Sequence, residues 1–565
     1  MRKLCKRTGV ILAACLISFN TIGTDMAKAQ TVYAAGTGNG EPQIQSLTPL
    51  KDIYKDKFLI GNIYNSFNLS GPDREMLLWH FNAVTPENMM KPDAMQMVEG
   101  NFTFDEADAM ISFAQENGIA AVGHTLAWHS QTPDWMTMEC TRDEAIQKLK
   151  SHIDGVAGHY AGKLLCWDVV NEAIEDGAKL PADGNWKSCL RNTPWLKNIG
   201  DDYIELAFRF AREADPGAKL YYNDYNLNDK NKAEIAAAMF ADFKKRGVPI
   251  DGIGMQSHYS TELSLGSVEQ SIKRFRDVGA KISVTELDVV INNPSGPGLP
   301  KENEIAQAQV YAGLFRLYNQ YADSIERVTF WGYDDGHSWR GSSHPCLFNS
   351  RDYSPKEAYF AVADPEGYLQ NHPMKAAPEP KRAEAVRGTP VIDGAEDEIW
   401  AAAKEVRINT MTMSWQGATG TAKMLWDENN LYVLVKVKDG VINADSVNAH
   451  EQDSVEIFVD ENNGKTGYYE EDDGQFRVSC KNELTFGSNG SREGIQSAVA
   501  MTGDGYLVEI RIPTTTTLTG NMSLGFDLQI NDSNERGERI SVAKFNDETD
   551  NSWQSAERWG VLDLR

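Results

Sequence analysis

The strongest constraint on the fold is an alternation of short apolar segments with amphipathic helical segments, running from about residue 47 to residue 369. Such alternation predicts β-strands joined by helices, and therefore a parallel sheet. Eight strands can be read from the sequence: Phe58–Asn62, Ala83–Thr85, Ala120–His124, Leu164–Asn171, Lys219–Asn223, Ile253–Gln256, Lys281–Thr285 and Arg327–Trp331. An eightfold repeat predicts an α/β fold of the (β/α)₈ TIM-barrel type.

Polar or aromatic residues end nearly every predicted strand of this repeat. They are Glu87 and Asn88, His124, Asn171 and Glu172, Asn223 and Asp224, Gln256 to His258, Glu286, and Trp331. The carboxyl ends of barrel strands converge on one face, where the active sites of such barrels lie. We therefore expect these side chains to form one site.

Two strand-end glutamates, Glu172 and Glu286, offer the chemistry of a carboxylate pair. Glycoside hydrolysis needs one carboxylic acid to protonate the leaving oxygen and a second carboxylate at the anomeric carbon. A structural salt bridge is the alternative for either residue. His124 and His129 lack an H-E-x-x-H pattern, so no catalytic metal is predicted.

The segments around these glutamates resemble the two signature segments of glycoside hydrolase family 10. The resemblance covers about 320 residues and extends to four further motifs in the family's order. The matching segments are 85–92, 123–129, 167–173, 256–258, 284–288 and 329–332. The resemblance implies hydrolysis of β-1,4-xylan by a retaining mechanism that needs no cofactor for catalysis.

The resemblance also implies a role for each matching residue. Glu172 corresponds to the acid/base, Glu286 to the nucleophile, His258 to the residue that hydrogen-bonds the nucleophile, and Asn171 to the donor to the sugar 2-hydroxyl. Tyr225 is expected to stack on the aglycone side. The residues expected to line the glycone subsites are Glu87, Asn88, Lys91, His124, Trp128, Gln256, Trp331 and Trp339.

After a proline-containing linker, predicted at 371–385, the strand pattern changes. Short strands follow one another with turn residues and no helical spacing, which predicts a smaller all-β antiparallel sandwich at 386–565. The clearest strands are Leu431–Val437, Ser454–Val459, Tyr506–Ile512 and Leu524–Ile530.

This second region resembles carbohydrate-binding module family 9, on the segments 390–394, 453–458 and 551–553 and on Trp400. The resemblance implies a sugar site between two tryptophan faces. Trp553 matches one face, and Glu456, Arg477 and Gln529 match polar contacts, but His450 stands where the second tryptophan is expected. We therefore expect weak or altered sugar binding, or else a spacer domain. The resemblance also raises the prospect of structural calcium, although acidic runs such as 470–473 are otherwise typical of a solvated face.

Charge and the amino terminus indicate where such a protein works. The 81 acidic residues outnumber the 55 basic ones, for a net charge of −26, which disfavours nucleic acid and membrane partners. A basic start and a short apolar run predict a signal peptide at 1–29, followed by a linker at 30–44 and a catalytic barrel at 45–370. Cys15 at the end of Leu12–Cys15 offers a lipoprotein alternative. The seven cysteines do not form a disulfide framework, although one bridge is possible.

The sequence therefore predicts a secreted, extracellular, monomeric endo-β-1,4-xylanase that binds xylan and xylo-oligosaccharides. A catalytically inactive xylan-binding protein is the alternative from a different functional class. Activity on mixed-linkage or cello-substrates is the alternative within the enzyme class.

Overall fold

The computed structural model describes residues 44–65, 70–291, 300–350, 352–374, 379–414, 416–487, 489–549 and 551–565. The predicted signal peptide (1–29) and all but the last residue of the predicted N-terminal linker (30–44) lie outside the described residues.

The first domain is a closed parallel barrel, which confirms the predicted fold class. Its sheet runs in the order β6-β5-β4-β3-β2-β1-β9-β8-β7, and pairing of β6 with β8 closes it. The strands are β1 (Leu59–Tyr64), β2 (Ala83–Pro86), β3 (Ala120–Ala127), β4 (Cys166–Asn171), β5 (Lys219–Asp224), β6 (Gly252–Met255), β7 (His258–Ser260), β8 (Lys281–Val290) and β9 (Ile325–Phe330).

Helices surround the barrel, and the longer ones bury an apolar face in its core. They are α1 (Leu50–Ile53), α2 (Gly71–His80), α3 (Pro92–Met95), α4 (Asp105–Asn117), α5 (Asp134–Thr137), α6 (Arg142–His159), α7 (Pro194–Asn198), α8 (Tyr203–Ala214), α9 (Lys230–Arg246), α10 (Leu265–Asp277), α11 (Lys301–Gln320), α12 (Glu357–Ala363) and α13 (Pro365–Asn371). Local sequence sets their ends. Thr141 and Glu144 form a capping box that starts α6, and Gly247, with φ of 68°, ends α9.

The sixth strand of the predicted repeat is divided into two in the structure. Ser257, with φ of 68°, separates β6 from the three-residue β7, and both strands pair with successive parts of the long β8. The break directs Gln256 and His258 toward neighbouring carboxylates at the carboxyl end of the barrel. The described barrel sheet therefore has nine strands instead of eight.

The second domain is built from β-strands around a separate apolar core. Its strands are β10 (Arg382–Arg387), β11 (Val406–Ile408), β12 (Thr410–Met411), β13 (Thr419–Trp426), β14 (Asn430–Lys438), β15 (Ser454–Asp460), β16 (Asp473–Ser479), β17 (Leu484–Phe486), β18 (Gln496–Thr502), β19 (Gly505–Pro513), β20 (Ser523–Ser533), β21 (Arg539–Lys544) and β22 (Gly560–Leu564). All pairings are antiparallel except those of β10, which lies parallel to β13 and to β22.

The first strand of the sandwich begins earlier than the sequence predicts. β10 starts at Arg382, inside the predicted linker at 371–385, and α13 of the barrel continues to Asn371. Only about ten residues therefore separate the last barrel helix from the first strand of the sandwich. The predicted linker was too long because charged residues on the exposed face of β10 make this strand look like linker in the sequence.

Trp400 anchors the segment that leads from β10 into the sandwich. Its indole is fully buried and its Nε1 donates to Oε1 of Glu509 at 3.0 Å. The other oxygen of Glu509 accepts the N–H groups of Asp393 and Gly394. One buried carboxylate thus satisfies three donors of the 390–400 segment.

Within the described residues, no helix has the length and apolar character needed to cross a membrane. The cysteines of this part of the chain are free thiols: Cys140, Cys166, Cys189, Cys346 and Cys480. Cys5 and Cys15 lie outside the described residues.

Candidate active site

The carboxyl ends of β4, β5 and β8 bring the two predicted catalytic glutamates into one hydrogen-bonded chain. Nδ2 of Asn223 donates to Oδ1 of Asn171 and to Oε1 of Glu286, both at 2.9 Å. Nδ2 of Asn171 donates to Oε1 of Glu172 at 3.3 Å. The predicted convergence of strand-end residues is therefore present for this group.

Asn223 has room for its carboxamide because its neighbour on β6 is a glycine. A Cβ atom on Gly254 would lie 2.5 Å from Oδ1 of Asn223. That oxygen accepts a hydrogen bond from Oγ1 of Thr285 at 2.7 Å. The amide orientation is consistent, since the reverse orientation would place a carbonyl oxygen against a carboxylate.

Glu172 follows β4 in a left-handed conformation, with φ of 56°, and its N–H donates to the carbonyl of Asn223. Trp128 Nε1 donates to Oε2 at 2.8 Å, and Gln256 Nε2 donates to Oε1 at 2.9 Å. The carboxyl group is half-buried. These donors fix its orientation and leave one side open to the cleft, as an acid/base requires.

Glu286 lies at the middle of β8 and is 6% exposed. Burial acts to raise the pKa of Glu286, but the hydrogen bond with His258, the nearby charge of His124 and the donor of Asn223 together hold it below its ordinary value. The carboxylate is therefore kept ionised, which suits a nucleophile.

His258 connects Glu286 to a second carboxylate. Its Nε2 lies 3.3 Å from Oε2 of Glu286, and its Nδ1 lies 3.0 Å from Oδ2 of Asp288. Burial acts to lower the pKa of His258, but Asp288 and Glu286 outweigh it and raise the pKa to about 9. The ring is therefore an imidazolium at neutral pH and donates to both carboxylates.

Asp288 is itself held from the rim of the cleft. Arg340 donates to its Oδ1 at 2.8 Å, and the indole Nε1 of Trp339 lies 3.3 Å from its Oδ2. The Trp339 ring is 63% exposed and meets the His258 ring edge-on. It thus presents an open aromatic face beside the nucleophile.

The predicted glycone residues lie along the same face of the barrel. Lys91 donates to Asn88 at 2.9 Å and to Gln131 at 2.8 Å, and its ammonium group lies 5.1 Å from the Trp128 ring. Burial lowers the pKa of Lys91. This lysine therefore links the Asn88 loop to the residue that contacts the acid/base.

The remaining glycone candidates are fixed by their neighbours on the barrel strands. His124 contacts Asp168 at 3.0 Å and meets Trp331 edge-on, while Glu87 accepts from Asn65 at 2.7 Å. Trp331 is 6% exposed, so little of its ring is open to the cleft.

On the opposite side, Tyr225 lies in a charged cluster behind the loop of Glu172. Arg191 Nε donates to the carbonyl of Glu172 at 3.2 Å, and its Nη2 contacts the Tyr225 hydroxyl at 2.7 Å. Asp176 accepts from Tyr225, and Lys232 lies 3.7 Å above the Tyr225 ring. Tyr225 is half-buried.

Sequence reasoning missed several residues that hold this site together. From the sequence, Asn223 is recognisable only as a strand-end residue, without a role between the two glutamates. Asp288 lies two positions beyond Glu286, on the same face of an extended strand, and this period-two spacing was an available signal. Arg340, Gln131 and Arg191 lie on loops whose positions carry no such signal.

The predicted sugar site of the sandwich is a polar cluster on β15, β16 and β20. Glu456, 2% exposed, accepts from Arg477 at 2.9 Å, from Asn531 at 2.7 Å and from Gln529 at 3.4 Å. Trp553 is 57% exposed, and His450 is exposed on a short 3₁₀ turn (Ala449–Glu451) before β15. The structure thus offers one open aromatic face and places an imidazole on the turn expected to carry the second.

Two groups of three carboxylates in the sandwich have oxygens within 4.8 Å of one another. One contains Asp439, Asp453 and Asp532, and the other contains Asp460, Asp472 and Asp473. Burial, together with neighbouring carboxylates, raises the pKa of Asp453 to about 7 and that of Asp473 to about 8. Asp473 is therefore not part of the solvated face that the acidic run at 470–473 suggested.

Comparison with known proteins is consistent with this geometry. Residues 49–365 match the family described as glycosyl hydrolase family 10, and residues 392–565 match the family described as carbohydrate family 9 binding domain-like.

Relatives share both domains. Endo-1,4-beta-xylanase A of Thermotoga maritima is 33% identical over 93% of this chain and 66% of its own length. Exoglucanase XynX of Acetivibrio thermocellus is 32% identical over 93% of this chain and 64% of its own length. The chain thus spans just under two thirds of the length of these relatives.

Solved structures match the barrel. An intracellular xylanase of Thermoanaerobacterium saccharolyticum, crystallised as a mutant with xylotriose, is 37% identical over 56% of this chain and 98% of its own, with a TM-score of 0.52. The native CbXyn10B structure is 32% identical over 56% of this chain and 99% of its own, with a TM-score of 0.53.

The raised pKa of His258 predicts a loss of stability at alkaline pH. The imidazolium contributes fully below the unfolded pKa of about 6.5, and its contribution is lost as pH rises from there through about 9. Urea unfolding at pH 6 and pH 9.5 should therefore show a smaller decrease for His258→Gln than for the parent. His450→Gln, on an exposed turn, is the control and should follow the parent. Equal decreases in all three proteins would contradict the assignment.

Proposed function

Because the chain belongs to glycosyl hydrolase family 10, we propose that it hydrolyses internal β-1,4-xylosidic bonds of xylan with retention of anomeric configuration. The observation that carries the proposal is the chain of hydrogen bonds that joins Glu172 to Glu286 through Asn171 and Asn223. An endo-1,4-xylanase relative over 93% of the chain supports the substrate class.

In the first step, the ionised Glu286 attacks the anomeric carbon while Glu172 protonates the leaving glycosidic oxygen. The imidazolium of His258 and the amide of Asn223 keep Glu286 charged and aimed. Trp128 and Gln256 hold the carboxyl group of Glu172. A covalent glycosyl-enzyme and a free aglycone result.

In the second step, Glu172 acts as a base and takes a proton from water, which attacks the anomeric carbon and releases Glu286. Asn171 lies between the two carboxylates, with its amide next to Glu172. We assign it to the sugar 2-hydroxyl, where a hydrogen bond strengthens in the oxocarbenium-like transition state. Two inversions give net retention.

The catalytically inactive alternative is disfavoured by this machinery, because both glutamates and their donors are in place. Activity on cello-substrates has one specific observation in its favour. A relative that is 32% identical over 93% of the chain is named as an exoglucanase. Hydrolysis of a soluble cello-oligosaccharide beside the matching xylo-oligosaccharide would measure that preference.

We further propose that the sandwich binds sugar chains through Trp553 and the Glu456 cluster, with lower affinity than a two-tryptophan site. The single open aromatic face supports this, because a stacked ring contributes both contact area and a rigid wall. A spacer domain remains the competing hypothesis.

Secretion, a monomeric state and the absence of nucleic acid or membrane partners also stand as proposals. The net charge of −26 supports the exclusion of nucleic acid and membrane partners, since phosphate backbones and anionic lipids would be repelled. Secretion is supported by the basic and apolar pattern of the first residues and by the size of a xylan substrate.

No cofactor enters the proposed reaction, but we propose structural calcium in the sandwich. The donor set fits this ion, because calcium prefers carboxylate and carbonyl oxygens. Burial and the crowding of carboxylates raise the pKa of Asp453 and Asp473, so a bound cation would supply the positive charge that lets all three carboxylates of a group ionise together. The two three-carboxylate groups would hold the ion with additional oxygen ligands.

Substituting each catalytic glutamate by alanine should have a different effect. Glu286→Ala should abolish hydrolysis of both xylan and a dinitrophenyl xylobioside, because no nucleophile remains. Glu172→Ala should lower xylan hydrolysis by about 10²–10⁴-fold and affect the aryl substrate less in its first step, since dinitrophenolate leaves without a proton.

Sodium azide should restore turnover of the aryl substrate by Glu172→Ala with a β-xylobiosyl azide product, measured by NMR. Glu175→Ala, an exposed carboxylate on the same loop, is the matched control and should behave as the parent. Undiminished xylanase activity in Glu286→Ala would remove the assignment.

Trp553→Ala should remove one class of sugar site in the full chain. In a Glu286→Ala background, titration calorimetry with xylohexaose should give two binding sites for the parent and one for Trp553→Ala. His450→Trp should tighten the weaker site by about tenfold, because it restores a second stacking face. A single site in all three proteins would favour the spacer hypothesis.

Calcium should raise the melting temperature of the protein after treatment with a chelator. The increase should shrink in Asp473→Asn and Asp453→Asn, which remove one ligand from each group. Asp445→Asn, an exposed carboxylate on the sandwich, should keep the full response. Identical melting curves with calcium and with chelator would exclude the ion.

A further inference from the structure

Two glycines let the backbones of the barrel and the sandwich approach each other closely. A Cβ atom on Gly467 of the sandwich would lie 2.8 Å from the amide nitrogen of Ser267 and 3.1 Å from the carbonyl carbon of Gly266, both in the barrel. Contacts this short leave no room for any side chain at position 467. The surfaces are therefore complementary at the level of the main chain.

Polar contacts surround the two glycines. Ser264 Oγ donates to Oε2 of Glu557 at 2.9 Å, and Lys230 Nζ donates to the carbonyl of Tyr469. The ammonium group of Lys230 also lies 5.1 Å from the centre of the Tyr468 ring. Lys230 thus makes both a hydrogen bond and a cation–π contact with the sandwich.

The charges around this contact are mostly complementary. A cavity of about 270 Å³ lies between the domains, with Lys230, Lys273 and Arg274 on the barrel side and Glu470 and Glu471 on the sandwich side. Two barrel acids, Glu234 and Asp277, line it as well, and Glu234 pairs with Arg274 at 2.7 Å. Lys273 likewise pairs with Glu269 of the barrel at 3.2 Å, so the attraction to the sandwich acids is carried mainly by Lys230, and it should weaken with salt.

The contact lies at the rim of the catalytic face. Lys230 is the first residue of α9, which follows β5, and Ser264 precedes α10, which follows β7. Two positions beyond Lys230, Lys232 lies 3.7 Å above the ring of Tyr225, the residue assigned to the aglycone side. The sandwich therefore meets the barrel next to the aglycone end of the cleft.

On the sandwich side, the docking loop is joined to the loop that carries Trp553. The hydroxyl of Tyr469 donates to the carbonyl of Ser552 at 2.8 Å, and the N–H of Ala556 donates to the carbonyl of Thr466 at 3.0 Å. A continuous series of contacts thus leads from the aglycone side of the barrel to the exposed tryptophan.

We propose that the sandwich is docked on the aglycone rim of the barrel and extends the cleft, so that one xylan chain contacts both domains. Tyr468 and Trp553 supply the platforms beyond Tyr225 for the part of the chain on the leaving-group side. The ligand is a xylo-oligosaccharide or xylan chain long enough to reach past Tyr225. The substrate in this inference rests on the proposed function, whereas the docking does not.

Docking is tested first, without any activity. Gly467→Leu should separate the domains, because its side chain would occupy the space of Ser267 and Gly266. Gly503→Leu is the matched control, since a Cβ atom there meets no atom within 4 Å. Small-angle scattering should give a larger radius of gyration for Gly467→Leu only. Equal radii for parent and both variants would overturn the docking.

A charge reversal without added bulk provides a second test of the same contact. Lys230→Glu should increase the radius of gyration, and the double variant Lys230→Glu with Glu470→Lys should restore part of the compaction. A compact Lys230→Glu protein, together with a compact Gly467→Leu protein, would mean that the charges and glycines do not hold the domains.

The extended cleft is tested by substrate length. Gly467→Leu should keep the parent's kcat/KM on an aryl xylobioside, which is too short to reach the sandwich. Its kcat/KM on soluble xylan should fall about tenfold, because the sandwich no longer binds the same xylan chain as the cleft. Gly503→Leu should match the parent on both. Unchanged kcat/KM on xylan in a separated Gly467→Leu protein would overturn the extension, and failure of the parent to cleave the aryl substrate would instead count against the proposed function.

Discussion

The side-chain amide of Asn223 is the interaction on which the arrangement of the active site depends. Its two N–H groups are shared between Asn171 and Glu286, and its oxygen is held by Thr285. Because these partners lie on β4 and β8 and Asn223 itself lies on β5, one carboxamide fixes the relative positions of three strand ends. Gly254 provides the space that this requires.

A second constraint comes from charge. Cationic and anionic side chains alternate in space from the rim of the cleft to the nucleophile, in the order Arg340, Asp288, His258 and Glu286. Each buried charge is thereby compensated by a neighbour of opposite sign, which avoids the large cost of an isolated buried ion. The nucleophile can remain ionised at 6% exposure because this alternation reaches the exposed rim.

Much of the barrel could be predicted from sequence because its strands are short apolar runs that end in polar residues. Glu172, Glu286 and His258 follow from that pattern and from their motifs. The division of the sixth strand could not, since β7 has only three residues and its separation depends on the backbone at Ser257. The role of Arg340 could not be predicted either, because this residue lies on a loop 52 residues away from Asp288 in the chain.

In the sandwich, the long apolar strands β14, β15, β19 and β20 were predictable, whereas the short, alternately buried β10 was not. Its charged residues resemble those of a linker, and its parallel pairing with β13 and β22 depends on distant segments. The contact between the sandwich and the barrel could not be predicted either, because it also depends on segments that are distant in sequence. Gly266 lies in a helix and Gly467 in a loop, and neither position shows in the sequence that the two backbones will meet.

Those facing glycines also bear on how such a protein can be recombined. A sandwich transferred to another barrel would meet a side chain wherever position 266 is not glycine, and a barrel given another sandwich would meet one at position 467. Modules with this surface would therefore have to be exchanged as a matched pair to keep the contact. Domain shuffling, which treats each module as independent, would break this contact.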